Sequence, residues 1–270
     1  MATNHKLTIY SLALLAVLYS SFRGILLAQP TDKAFDYQKD FKDILQKTNN
    51  PDDSLYAYKM LLPRFLRADT TLTNRQVLAM QIYFTQHTDY MPYHDMVLER
   101  LIWNFNEQGL YEKALTECDT LLAKNPFNLV ANKEKAFILK KMNTISGKED
   151  AAPYLARFQM LVRADTCTGN GLSYGGAWFV LSPIDGQVII DYVYNQNTCV
   201  MTSGEDRFGN FHDILGVKQN KTPEPCVWHY FNIQHAYVKM FNKNSEKLFK
   251  ELEEEMKAKL KYLPYIKKNK

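Results

Sequence analysis

The chain is short of the features that announce an activity. It has four cysteines, and no two of them stand as CxxC, which counts against a zinc site of paired thiolates. No HExxH occurs: His87 and His94 are seven apart, His229 and His235 six apart, and neither pair has carboxylates at ligand spacing. No metal and no cofactor is read from these residues. Net charge is only +4, from 33 basic and 29 acidic residues. Removing residues 1–28 takes away Lys6 and Arg23 and no acid, which leaves +2. So weak and dispersed a charge excludes a nucleic-acid partner. Glycine and proline, 11 and 10 of 270 residues, are not enriched, and no low-complexity tract appears.

The one glycine-rich run, Gly169-Asn170-Gly171-Leu172-Ser173-Tyr174-Gly175-Gly176, has no lysine in it. A helix is read before it and a strand after it, the reverse of the strand–loop–helix order of a phosphate-binding loop, so it is a turn or linker. For nucleophilic catalysis the candidates are Cys167, Cys199 or Cys226, with His212, His229 or His235 and an aspartate such as Asp191 or Asp213. No local signature surrounds any of them, and no catalytic residue is assigned.

What is present is a large apolar supply, 46% hydrophobic and 13% aromatic, enough for a real core. The N-terminus reads as an export signal: His5-Lys6, then an apolar run from Leu7 to Phe22, then Ile25-Leu26-Leu27-Ala28 before Gln29. The run is short for a membrane span, which needs about 20 residues, and Arg23 stops its extension. Cleavage after Ala28 is the expectation, with an uncleaved anchor as the alternative. The protein is then exported, periplasmic or envelope-associated, and touches the membrane only through this signal. Export permits disulfides. Cys118 lies on an apolar helical stripe and reads as a core residue, leaving a bridge between two of Cys167, Cys199 and Cys226 open.

The clearest element is Gly109–Asn128. Tyr111, Ala114, Leu115, Cys118, Leu121 and Leu122 fall on one helical stripe, and Gly109 and Asn125-Pro126 punctuate its ends. With a partner helix over Met96–Glu107, whose face carries Val97, Leu101, Ile102 and Phe105, it has the spacing of a tetratricopeptide hairpin. The following unit is degenerate, with Asn132 where a large apolar residue is usual. Thr73-Asn74-Arg75-Gln76 fits a capping box that opens a helix at Asn74. Strand candidates are Ala177–Ser182, Cys199–Thr202, Phe211–Lys218 and Val227–Ile233; Gln187–Tyr194 is strand or short helix.

The expected fold class is α+β: a helical, tetratricopeptide-like lobe over 35–165, a small antiparallel β-rich lobe over 170–241, and a C-terminal helix over 245–262. An aromatic, turn-like stretch carries Tyr83, His87, Tyr90, Tyr93 and His94. It reads either as a binding surface or as a connector whose tyrosines pack on the helices.

Several stretches together resemble a known family: Arg64-Phe65-Leu66-Arg67-Ala68-Asp69-Thr70-Thr71-Leu72-Thr73, Tyr83-Phe84 with Tyr90-Met91-Pro92-Tyr93, Gly169-Asn170-Gly171 leading to Ala177-Trp178, and Tyr230-Phe231-Asn232-Ile233. The family is the uncharacterised domain-of-unknown-function family 4919 of secreted Bacteroidetes proteins. The resemblance implies export and a helical-then-β architecture, and it brings no catalytic residues. The expectation for function is an exported, non-enzymatic binding or scaffold protein with a protein or peptide partner. The alternatives are a hydrolase with its site in the β-rich lobe, and a structural envelope protein held by an uncleaved N-terminus.

Overall fold

The computed structural model of the chain describes residues 35–143, 150–196, 198–218, 226–240 and Glu254. The expected signal over 1–28 and nearly all of the expected helix over 245–262 lie outside them. Seven helices come first: α1 (Asp40–Asn49), α2 (Tyr58–Leu66), α3 (Asn74–Phe84), α4 (Pro92–Glu107), α5 (Tyr111–Lys124), α6 (Leu129–Asn143) and α7 (Ala152–Thr166). Then follow β1 (Trp178–Phe179), α8 (Asp185–Tyr194), β2 (Thr198–Glu205), β3 (Phe211–Val217), β4 (Val227–Asn232) and α9 (Gln234–Met240). The class is α+β.

The α2–α3 corner shows how local chemistry sets the path. Ala68 turns the chain in the left-handed region, at φ 56°. Arg64 Nε donates to Asp69 Oδ2 at 2.8 Å, and Arg64 Nη2 donates to Thr71 Oγ1 at 2.9 Å. Thr71 and Arg64 together hold the Asp69 carboxyl low, at about 2. Two residues past Thr71, Thr73 and Gln76 form the expected capping box. The Arg64–Thr73 stretch is thus a built corner.

That corner launches α3, the most enclosed helix. Val77, Leu78, Ala79, Met80, Gln81, Ile82 and Phe84 are all buried. A helix buried on nearly every side is the centre of its domain, so α3 and not the α4–α5 hairpin organises the interior. The hairpin has a satellite core of its own: Leu98, Leu101, Ile102, Phe105, Ala114, Cys118, Leu121, Ala131 and Ile138. Gly109, at φ 71°, makes its turn. Asn132 is buried because it is a connector. Its amide donates to Pro126 O at 3.0 Å and Asn128 O at 2.9 Å, and its oxygen accepts from Arg157 Nε at 3.0 Å.

The sheet runs in the order β1-β4-β3-β2. β2–β3 and β3–β4 are antiparallel, as expected. β1 departs from that expectation: it pairs with β4 in parallel, Trp178 opposite Phe231. Parallel neighbours need a crossover, and the chain from α8 through β3 supplies it. Gln187–Tyr194 belongs to α8: Val188, Ile189 and Ile190 are buried in succession, which a helix wedged between sheet and helices allows. One main core joins the helices to the sheet, from Ile44, Phe65 and Met80 through Phe158 to Phe179, Leu215 and Phe231.

The glycine-rich run is a turn stitched to the sheet. Gly171 N donates to Gly176 O at 2.7 Å, Tyr230 N to Gly171 O at 2.8 Å, and Trp178 Nε1 to Gly169 O at 2.9 Å. Tyr174 then lays its ring against His212 and Tyr230. Cys199 on β2 and Cys226 at the start of β4 form a disulfide, and both approach Gly216 of the intervening β3.

Candidate functional site

The five residues singled out in the aromatic stretch do not share one surface. Tyr83, on α3, is half-buried and stacks on Tyr58 at 4.1 Å between ring centres. His87 is exposed and lies over Phe84, and its carbonyl accepts from Lys239 Nζ at 3.3 Å. Tyr90 turns inward: it is 1% exposed, and its hydroxyl donates to Leu181 O at 2.7 Å. Tyr93 is half-buried at the start of α4, where burial first and then Asp213 and Tyr237 push its hydroxyl up to about 12. His94, also half-buried, has Nδ1 3.5 Å from Asp95 Oδ1. Of the two readings of this stretch, Tyr90 follows the packing one, while His87 stands at the rim beside Lys239 and Tyr93 lies near Asp213 and Tyr237.

The candidate catalytic groups are also dispersed among structural duties. Cys199 is tied to Cys226. Cys167 Sγ donates to Ala164 O at 3.1 Å. His235 is buried among the rings of Tyr37, Phe41, Tyr90 and Phe179, with Nε2 2.7 Å from Val180 O. Burial lowers its pKa to about 3, so it is neutral. His212 Nδ1 lies 2.9 Å from Asn210 O, and His229 stacks on Trp178. Asp191 is paired with Lys133 at 2.8 Å, and Asp213 accepts from Ser203 Oγ at 2.9 Å.

Directly inside the aromatic stretch lies a group of residues that the sequence reading left out. Asp95 and Glu99 stand one turn apart on α4, buried with Leu98 and Ile102 on the same stripe. Two asparagines of the α5–α6 turn reach them: Asn125 Nδ2 donates to Asp95 Oδ2 at 3.3 Å, and Asn128 Nδ2 to Glu99 Oε1 at 2.6 Å. The same asparagines shape their own turn, accepting from Phe127 N and Ala131 N. Asp165, near the end of α7, accepts from Gln81 Nε2 of α3 at 2.8 Å. Asp185, the first residue of α8, accepts from Ser182 N at 2.8 Å. All four carboxyls are buried.

Burial is the largest influence on three of them and raises each. Glu99 is held well above its ordinary value by burial, then by Asp185 and Asp95, against the opposing Asn128 bond. Asp165 is raised by burial and Asp185, against Gln81. Asp185 rises to about 7, with burial outweighing the backbone N–H groups of Ser182 and Leu181. Tyr90, whose hydroxyl is raised by burial and by Tyr37, Asp185, Tyr93 and Asp95, closes the group from the turn side. Chemically the arrangement is a set of buried carboxyl groups, hydrogen-bonded by side-chain amides and by a backbone N–H. Among the described residues no group of three His, Cys, Asp or Glu is placed to hold a metal ion.

The signal for α4 was in the sequence. Leu98 and Ile102 are four apart, and extending that stripe backward reaches Asp95, with Glu99 beside Leu98. Of the expected face, Leu101, Ile102 and Phe105 are buried; Val97 is half-buried, and Leu98 takes its place. Tyr90→Phe tests the seal. It leaves the buried Leu181 carbonyl without its donor, and a loss of about 1–2 kcal/mol is expected in urea unfolding. Unchanged stability would show that the hydroxyl does not hold this corner.

No curated protein and no solved structure matches the chain. A family model described as a domain of unknown function, DUF4919, matches residues 42–242. That span begins within α1, ends just beyond α9, and takes in the α2–α3 corner, the hairpin, the buried carboxyls and the whole sheet. The chain belongs to the domain-of-unknown-function family 4919.

Proposed function

We propose that the protein is an exported, non-enzymatic binding or scaffold protein of the envelope, and that it takes a protein or peptide partner along the edge of its sheet. The observation that carries this reading is the character of β2. It is the last strand of the sheet among the described residues. Its side chains are exposed on both faces, Val200 at 47% and Met201 at 61%. Across Gly216 from Val200 stands Trp228, itself 39% exposed. An edge strand offers a row of backbone donors and acceptors to an extended peptide, and apolar neighbours add affinity. The Cys199–Cys226 bridge keeps this edge in place and suits an oxidising compartment.

The test is site-specific photocrosslinking in cells that make the full chain. A photoreactive residue at position 201 is expected to give one discrete adduct. The same residue at Leu55, which is 62% exposed and remote from the sheet in sequence, is expected to give none. Equal labelling at both positions, or none at 201, would remove the edge from the account. Intact mass of the purified protein tests export: a mass lacking residues 1–28 is expected.

A further inference from the structure

We infer that the buried carboxyl group is a proton-operated latch. Protons held by Glu99, Asp165 and Asp185 fasten α4 and α7 to the β1–α8 corner, and their loss at higher pH loosens that corner.

The geometry leaves little alternative to retained protons. Asp95, Glu99, Asp165 and Asp185 come from three helices and are all buried. Their hydrogen-bond partners are neutral: the amides of Asn125, Asn128 and Gln81, and the backbone N–H of Ser182. The described ion pairs of lysine and arginine all lie elsewhere. The charged and titratable groups facing the cluster are few. Arg100, on the exposed side of α4, acts on Glu99 as the last and weakest of its influences. His94 stands 3.5 Å from Asp95, and the Tyr90 hydroxyl is engaged with Leu181 O. Four buried carboxylates without a buried cation cannot all be ionised.

A second observation points the same way. Glu99 Oε2 and Asp165 Oδ2 are buried without a partner. So are two neutral oxygens at either end of the group: Oε1 of Gln81, whose amide already holds Asp165, and Oγ of Ser182, whose N–H holds Asp185. Gln81 Oε1 can only accept and Ser182 Oγ can accept as well as donate, so a hydrogen carried on a neighbouring carboxyl, directly or through water, would give each a partner.

The sign follows from linkage. Acids whose folded pKa is raised keep protons that the unfolded chain releases. Their contribution is complete below the ordinary carboxyl range and is lost as pH rises through the folded values, from about 4 past the value of about 7 for Asp185. The buried neutral histidines His212, His229 and His235 act oppositely, opposing stability as pH falls below their ordinary range. The latch is therefore read most cleanly between about pH 7 and about pH 8, below the range in which the buried Cys118 thiol, also raised by burial, adds a dependence of the same sign.

The experiment is urea unfolding of the full chain at several values between about pH 5 and about pH 9, for wild type, Asp165→Asn, Glu99→Gln and the exposed control Asp52→Asn. The unfolding equilibrium constant of the wild type is expected to grow about tenfold per pH unit for each proton retained. Each amide variant is expected to lower that dependence by about one proton, because it keeps the acceptor oxygen for Gln81 or Asn128 but cannot ionise. The control is expected to match wild type. Hydrogen exchange, corrected for its intrinsic pH dependence, is expected to rise in α4 and residues 180–186 of the wild type at the alkaline end, and not in the amide variants. Wild-type pH dependence in both amide variants would overturn the latch. Should both variants fail to fold, proton release by the wild type on unfolding near pH 7.5 decides: about one proton or more supports the latch, and none overturns it.

Discussion

Replacing Gly169 by alanine is expected to cost roughly 3–5 kcal/mol, a large share of the stability of any single domain. A methyl group at this position would stand 2.1 Å from the Gly176 carbonyl oxygen and 2.6 Å from its carbon. Neither atom belongs to a flexible side chain, so the clash is relieved only by moving backbone. The backbone is not free to move. Gly176 O already accepts from Gly171 N, and Gly169 O accepts from the Trp178 indole. Just before the loop, Thr168 Oγ1 accepts from Phe179 N at 2.8 Å. Displacing Gly169 therefore pulls on β1 and on a buried tryptophan together. Gly175→Ala is the matched comparison: nothing lies within 4 Å of a methyl there, and a change within about 0.5 kcal/mol is expected. Urea midpoints of the two variants decide the matter. Equal midpoints would mean that the loop is slack and that its hydrogen bonds do not fix the chain.

The second large effect is expected from opening the Cys199–Cys226 bridge. The two cysteines are 27 residues apart, and a loop of that size corresponds to about 3.5 kcal/mol of chain entropy removed from the unfolded state. Reduction, or Cys199→Ser with Cys226→Ser, should lower the unfolding free energy by roughly that amount. The loss should be felt at the edge of the sheet, because among the described residues β2 makes its ladder only with β3. Faster amide exchange in β2 than in β4 is the expected accompaniment. Gly216 belongs to the same argument. A methyl there would meet Cys226 Cβ at 3.1 Å and the Trp228 ring at 3.2 Å, so Gly216→Val should cost more than the bridge-neutral Gly175→Ala. A reduced protein with unchanged stability and exchange would show that the bridge adds nothing to the fold.

Much of the fold was legible because it is local. The capping box at Thr73 and Gln76, the stripe through Ala114, Cys118 and Leu121, and the strands at Phe211–Val217 and Val227–Asn232 all follow from short-range pattern. What escaped is non-local. Nothing near Trp178 says that its neighbour is Phe231, and nothing near Cys199 selects Cys226 over Cys167. Gln187–Tyr194 reads equally as strand or helix because it is apolar on nearly all sides, and only its place between α6 and the sheet makes it a helix. The buried carboxyls escaped for a different reason. Asp95 and Glu99 break the rule that charged residues face water, and the amides that make this tolerable come from Asn125 and Asn128, a helix away. Tyr90 as a packing residue was one of the two readings of its stretch; what escaped was its partner, the carbonyl of Leu181, which lies far along the chain.

The parallel pairing of β1 with β4 also sets a schedule. Among the described residues seven helices precede any strand in the order of synthesis, yet Phe179, Val180 and Leu181 close the same core as Met80 and Phe158. β1 has no partner until Trp228–Asn232 has been made, two hairpin strands and a helix later. The capture of β1 by β4 is a long-range event, and pairings of that kind form slowly. A ribosome-bound fragment ending at Thr166 would hold α3 with part of its surface bare, competent to bind a chaperone and unable to finish. The sheet therefore gains its parallel edge only when the last described strand has been delivered.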